Sequence, residues 1–281
     1  MPVIRRRSLP LLMLVFFPGG VGSPAEKLKP EQVVKAHVEE GIGWKEGTAL
    51  PPRRVRGTCT LTGQAVGTGA LGGSFQLASA PLASRLAVQF GTGRYEGEVF
   101  SFDGQSVQVG FGQRPTSNRS AFGNFVAAND VILREGLLGG VLNAGWPLLA
   151  LEARGAKVAY EGTKKFDGRE LHRLRYRAKK GQNELDVLVY LEPDTWRHLA
   201  TVYTASRAQD MTGNITESSQ QSDVYYRLEE RFSDFQRQGG LTLPAAWKLT
   251  YETSGGPGRT GTWNYAFEVQ AVEAPEEAKQ P

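Results

Sequence analysis

The chain is poor in the residues that staple, bind metal or cross a membrane. Of 281 residues one is cysteine, Cys59, so no intrachain disulfide can form and the fold must rest on its core. Cys59 lies in Thr58-Cys59-Thr60, far from the N-terminus, and reads as a buried strand cysteine behaving as a small hydrophobe. There are three histidines, His37, His172 and His198, and none stands in an H-x-H or H-E-x-x-H spacing, so no metal site is expected. Neither Gly72-Gly73-Ser74 nor Gly104-Gln105-Ser106 completes a G-x-S-x-G nucleophile elbow. Gly67-Thr68-Gly69 lacks the Lys-Ser/Thr ending of a phosphate loop. An enzyme is not expected, nor a cofactor. Long apolar runs are absent beyond the N-terminus, which excludes a membrane-spanning helix in the remaining chain. An excess of one charge is lacking too. The whole chain has 33 basic and 29 acidic residues, but three arginines fall in residues 1–25, leaving 30 against 29. That near-neutral remainder has no electrostatic footprint for nucleic acid and no polybasic patch for a membrane surface.

What is present begins with the leader. Arg5-Arg6-Arg7 precede an apolar stretch over residues 9–17, followed by Pro18-Gly19-Gly20 and the small-residue site Ser23-Pro24-Ala25. This pattern predicts a secretory signal peptide cleaved after Ala25 or, next, after Ser23. The working protein is then expected in the periplasm, as a monomer with one domain over residues 26–272 and a disordered tail over 273–281.

Residues 30–41 predict a first helix, with Pro30 in its first turn, Val33, Val34, His37 and Val38 on one face, and Gly41 as its stop. From Arg53 the apolar period changes to two. Short strands are predicted near residues 55–62, 74–79, 85–90, 95–102 and 105–110, with Asp103-Gly104 as a hairpin signal. Residues 114–120 read as loop. Residues 121–151 carry only Asp130, Arg134 and Glu135 as charges before residue 152, and predict one apolar helix over 122–138, with Asp130 and Arg134 pairing at i, i+4 and Trp146-Pro147 blocking its continuation. Strands resume at 156–166 and 169–179 around Asp167-Gly168, then at 184–191, 198–205, 223–235, 246–254 and 260–271, with a polar loop over 207–222. The adjacent carboxylates Glu39-Glu40 and Glu229-Glu230 read as solvated, and the histidines as structural or surface residues. The fold class is α+β and β-rich: about eleven antiparallel strands in one curled sheet, an incomplete barrel, with helices over its concave face.

In this order and texture the chain resembles the LolA/LolB-like envelope proteins. The resemblance lies in the helix at 30–41, the strand opening Val55-Arg56-Gly57, the Phe102-Asp103-Gly104-Gln105 turn and the stretch Leu133-Arg134-Glu135-Gly136-Leu137-Leu138-Gly139-Gly140. It continues in Phe166-Asp167-Gly168, Tyr190-Leu191-Glu192-Pro193-Asp194-Thr195 and Gly239-Gly240-Leu241-Thr242-Leu243-Pro244. It implies an incomplete β-barrel that carries acyl chains, of a lipid or a lipoprotein, between sheet and helices. No lid-locking arginine is carried over onto this sequence.

The residues themselves supply an apolar lining. Phe122, Phe125, Val126, Leu133, Leu137 and Val141 come from the central segment, and Leu174, Tyr176, Leu185, Val187, Val189 and Leu191 from strand faces. Two functions fit. One is a carrier or chaperone holding an acyl chain in an apolar cavity. The other is a non-catalytic envelope module with a filled core and a protein partner.

Overall fold

The computed structural model describes residues 28–274 except 46, 64–66, 68, 92–94, 112–118, 182–183, 208–223 and 256–260. The expected signal peptide, most of the loops at 114–120 and 207–222, and the tail from 275 lie outside the described residues. Twelve strands, one for each segment marked in the sequence, form a single antiparallel sheet: β1 (Arg53–Gly63), β2 (Ala70–Ala80), β3 (Ala83–Phe90), β4 (Gly97–Phe102), β5 (Val107–Gly110), β6 (Lys157–Phe166), β7 (Arg169–Arg177), β8 (Asp186–Leu191), β9 (His198–Arg207), β10 (Val224–Gln238), β11 (Leu241–Ser254) and β12 (Gly261–Glu273). Their order is β5-β4-β3-β2-β1-β12-β11-β10-β9-β8-β7-β6. Neighbours in sequence are neighbours in space with one exception. β1 pairs with β12, so that Arg54 faces Glu273 and Cys59 faces Phe267. The two free edges, β5 and β6, are joined by residues 111–156, which cross the sheet.

Local chemistry explains the hairpins. Asp167 and Gly168 both take positive φ, 50° and 77°, as a two-residue primed turn requires. At Asp103-Gly104 the turn is wider. The Asp103 carboxylate accepts the N–H groups of Gln105 and Ser106 at 2.8 and 2.7 Å, which holds its pKa down at about 2.

The sheet is curled. β4 and β11 stand five strand spacings apart, roughly 24 Å on a flat sheet. Yet the Phe122 ring lies 4.9 Å from the Phe100 ring of β4 and 6.0 Å from the Tyr251 ring of β11. One side chain can touch both only if the sheet wraps around it.

The first helix, α1 (Pro30–Ala36), starts where expected, with the Gln32 side chain accepting the Lys29 N–H at 2.7 Å. It does not stop at Gly41. It widens into a π-helical turn over His37–Ile42 and ends at Gly43, whose φ is 80°. Gly41 serves close packing instead: a Cβ there would stand 2.3 Å from the Trp196 carbonyl oxygen.

The single helix expected over 122–138 is broken. α2 (Ala121–Ala128) ends at Asn129, which leaves helical geometry (φ −121°, ψ 56°) while its backbone N–H and side-chain amide both donate to the Phe125 carbonyl, at 3.0 and 2.8 Å. α3 (Val131–Arg134) is a single turn. Two 3₁₀ turns, Gly140–Leu142 and Pro147–Leu149, then lead to α4 (Leu151–Arg154). The Asp130–Arg134 pair forms at 2.7 Å.

Candidate functional site

The crossover lies against the concave face and is enclosed. Every residue from 131 to 149 is buried except Arg134 and Glu135. All twelve residues of the apolar lining belong to the one large core cluster. Phe122, Phe125, Val126, Leu133, Leu137 and Val141 are at most 4 % exposed, and Leu174, Tyr176, Leu185, Val187, Val189 and Leu191 at most 1 %. They reach this cluster from two sides. The first six descend from the crossover, and the others rise from β7, from β8 and from the residue just before β8, where alternation turns every second side chain inward.

Between these surfaces lie polar contacts that the hydrophobic pattern does not announce. A crossover of broken helices leaves backbone groups without intrahelical partners. Buried side chains of the sheet take several of them. Glu98 of β4 accepts the Ser120 N–H at 3.1 Å and its hydroxyl at 2.6 Å, while that hydroxyl caps α2 by accepting the Gly123 N–H at 2.8 Å. Gly123 leaves no room for a side chain, since a Cβ would meet the Glu98 carboxylate at 1.9 Å. Further along, the Glu230 carboxylate of β10 accepts the Gly139 N–H at 2.8 Å and the Tyr203 hydroxyl at 2.7 Å. Ser79 of β2 accepts the Ala144 N–H at 2.9 Å, and Arg53 of β1 donates over 3.4 Å to the Val141 carbonyl. Tyr176 donates to Glu135 at 2.6 Å.

A histidine pair completes the interface. Trp146 donates its indole N–H to Nε2 of His37 at 3.0 Å, so that nitrogen carries no proton and Nδ1–H donates to the Trp196 carbonyl at 2.8 Å. Trp196 takes a left-handed backbone, φ 56°, uncommon for a bulky residue, and its ring stacks on His172 at 4.7 Å. On its other side Trp146 stacks on His198 at 4.5 Å. Burial dominates the acid–base behaviour here. It pushes His37 down to about 4 and His198 well below its usual value, raises Glu98, and lifts Glu230 to about 7.

Glu230 overturns the reading of Glu229-Glu230 as solvated: it is fully buried. The signal was strand parity. Leu228, Glu230 and Phe232 share the inward face of β10, and Glu98 shares that of β4 with Phe100. Glu39 and Glu40 are exposed. His172 and His198 are buried with His37, rather than at the surface.

Open grooves of about 530, 410 and 610 Å³ lie along strand ends and the outer face, and none of the twelve lining residues borders them. Among the described residues, no cluster of His, Cys, Asp or Glu could hold a metal ion. Nor, among them, is any helix long and apolar enough to cross a membrane.

Fold and interior define an open, curled antiparallel sheet whose concavity is occupied by its own crossover. No protein-family model matches the sequence, and no curated protein matches it. Among solved structures it is similar to a LolA superfamily protein from Nitrosomonas europaea, at 10 % identity and a TM-score of 0.47 over 88 % of this chain and 93 % of that one. It is similar to a DUF1329 family protein from Desulfovibrio piger, at 11 % identity and a TM-score of 0.40 over 80 % and 86 %. It is similar also to a domain assigned as an outer membrane lipoprotein-sorting protein from Vibrio parahaemolyticus, at 10 % identity and a TM-score of 0.40 over 81 % and 87 %. At such identities none supplies a residue-by-residue correspondence.

Proposed function

We propose that this chain is a non-catalytic envelope carrier, working in the periplasm, that holds an acyl chain of a lipid or lipoprotein against the concave face of its sheet. The crossover fills that space in the closed form and must shift to admit the ligand, a population shift between two states. The observation that carries this reading is the construction of the covering segment. It is almost wholly apolar, it is built of single turns and one short helix, and it belongs to no strand, so its departure would break no ladder bond of the sheet. An acyl chain entering there gains about 0.8 kcal/mol per buried CH₂, enough for binding without a charged contact.

Native mass spectrometry of gently purified protein, with titration by a fluorescent fatty acid, tests this. Co-purified lipid or saturable uptake is the expected result. A chain that carries no lipid and excludes the fatty acid would sink the carrier reading.

A second reading, a filled module with a protein partner, is favoured by the tight enclosure of all twelve lining residues. Amide hydrogen exchange separates the two. A carrier opens residues 121–149 well below the free energy of global unfolding, whereas a filled module exchanges them together with the sheet.

A further inference from the structure

Apart from the interior, the outer rim of β1–β5 carries a groove of about 530 Å³. Strand register puts Arg54, Ala78, Arg85, Ser101 and Gln108 in one row across five strands. Residues directly opposite one another in antiparallel strands share a face. Arg54 precedes the inward Val55 and therefore faces outward, and the row shares that face. Arg54 and Arg85 sit two strands apart, roughly 10 Å, with only the Ala78 methyl between them. The small residue leaves the space open, and two guanidinium groups flank it.

Arg53 also borders the groove, but by strand parity its side chain turns to the concave face, where it donates to the Val141 carbonyl. Arg53 is 4 % exposed, and its Nε and Nη2 have no hydrogen-bond partner. Burial draws its guanidinium down to about 10. Nε of Arg54 is likewise buried without a partner. Among the described residues no carboxylate forms an ion pair with Arg53, Arg54 or Arg85. Asp103 lines the groove too, but its oxygens are engaged by the Gln105 and Ser106 N–H groups and the Ser106 hydroxyl, at 2.7–2.9 Å. Several arginines elsewhere on this sheet are neutralised, Arg173 and Arg175 by Glu161 and Arg231 by Glu229 and Asp167. Glu273, opposite Arg54 in β12, pairs with Arg56 instead, so Arg54 and Arg85 flank the groove without an ion-paired carboxylate, and an anion between them offsets their mutual repulsion.

We propose that this rim groove binds a phosphate group, with Arg54 and Arg85 gripping it from either side of Ala78. Phosphate suits the site better than a single carboxylate because its several oxygens can accept paired N–H donors from both guanidinium forks at once. The phosphate can be free or part of a lipid headgroup. The inference is independent of whether the apolar interior takes a ligand.

Thermal unfolding of the full chain, titrated with sodium phosphate against sodium chloride at matched ionic strength, is the test. Phosphate should raise Tm and chloride should not. The double variant Arg54→Gln/Arg85→Gln should keep its phosphate-free melt and bind phosphate at least about tenfold more weakly. Arg237→Gln, an exposed arginine far along the chain, should respond like the parent. Co-sedimentation with phosphatidylglycerol vesicles, competed by free phosphate, would assign the source to a headgroup; a Tm rise without vesicle binding would assign it to free phosphate. A parent that does not respond to phosphate, or a parent and double variant that respond alike, would overturn the proposal.

Discussion

The sheet and the crossover that lies in it are stabilised differently. Every strand of the sheet finds its backbone partners in a neighbouring strand, and the run of hairpins from β6 to β12 is built from contacts close in sequence. The crossover has no such ladder. Its N–H groups at Ser120, Gly139 and Ala144 are held by the side chains of Glu98, Glu230 and Ser79, which reach it from three separate strands. The strand ladders are complete without the crossover, whereas the crossover draws several of its backbone partners from side chains of the sheet.

The strongest way to break the comparison is Leu137→Glu. Leu137 is fully buried, and an unpaired carboxylate there costs several kcal/mol, roughly. The expected outcome is a released crossover on a surviving sheet: far-ultraviolet circular dichroism retained, the Trp146 fluorescence environment lost, and lipid uptake abolished. Loss of the whole circular dichroism signal would make sheet and crossover one cooperative unit. Unchanged melt and uptake would refute the placement of this residue.

Next in size is pH. The raised Glu230 favours the folded state fully below about 4.5 and loses that contribution as pH rises through about 7. The lowered His37 does the reverse: its contribution is present above about 6.5 and is lost as pH falls through about 4. Each amounts to about 3 kcal/mol over its window, and between these limits the two oppose one another. Melts from pH 4 to pH 8 should show a shallow dependence in the parent. In Glu230→Gln that opposition is gone: stability should climb more steeply from pH 4 to about 6.5 and then level off instead of declining toward pH 8. An identical pH profile in the two proteins would remove Glu230 from the account.

A smaller effect is expected at Gly140→Ala. Gly140 has φ 50°, and a Cβ would stand 2.6 Å from His198 Nδ1 and 2.8 Å from the Phe232 ring. Strain and overpacking should cost about 2 kcal/mol. If the crossover is the separable part, its amides should exchange faster while those of β1–β5 do not change. Equal acceleration in both regions would blur the distinction. The smallest effect belongs to Asp130→Ala, which removes the exposed pair with Arg134 and should cost about 0.5 kcal/mol or less in a denaturant melt. A larger loss would give this surface pair a tertiary role.

The legible parts of the molecule were local. Alternation marked Leu185, Val187, Val189 and Leu191 as one face, Asp167-Gly168 announced its turn, and Asp130 found Arg134 four residues away, because each depends on residues within a few positions. The break at Asn129 was harder to see: the apolar spacing of residues 122–138 continues through it, while the backbone of Asn129 itself turns out of helical geometry. Glu230 is the clearest case of what local pattern misses. Parity placed it on the face of Leu228 and Phe232, but a carboxylate tolerates burial only where donors meet it, and one of its donors, the Gly139 N–H, comes from 91 residues away.

By itself, then, the sequence determined the strands, most of the hairpins and the apolar supply of the interior, since these follow from periodicity and turn chemistry over short distances. Only the tertiary structure decided that β1 closes on β12, that the sheet wraps tightly enough for one phenylalanine to touch strands five places apart, and that the crossover lies inside with two carboxylates and two histidines beneath it. Those features depend on partners far apart in the chain, whose polar groups become mutually satisfied only when the curl brings them together.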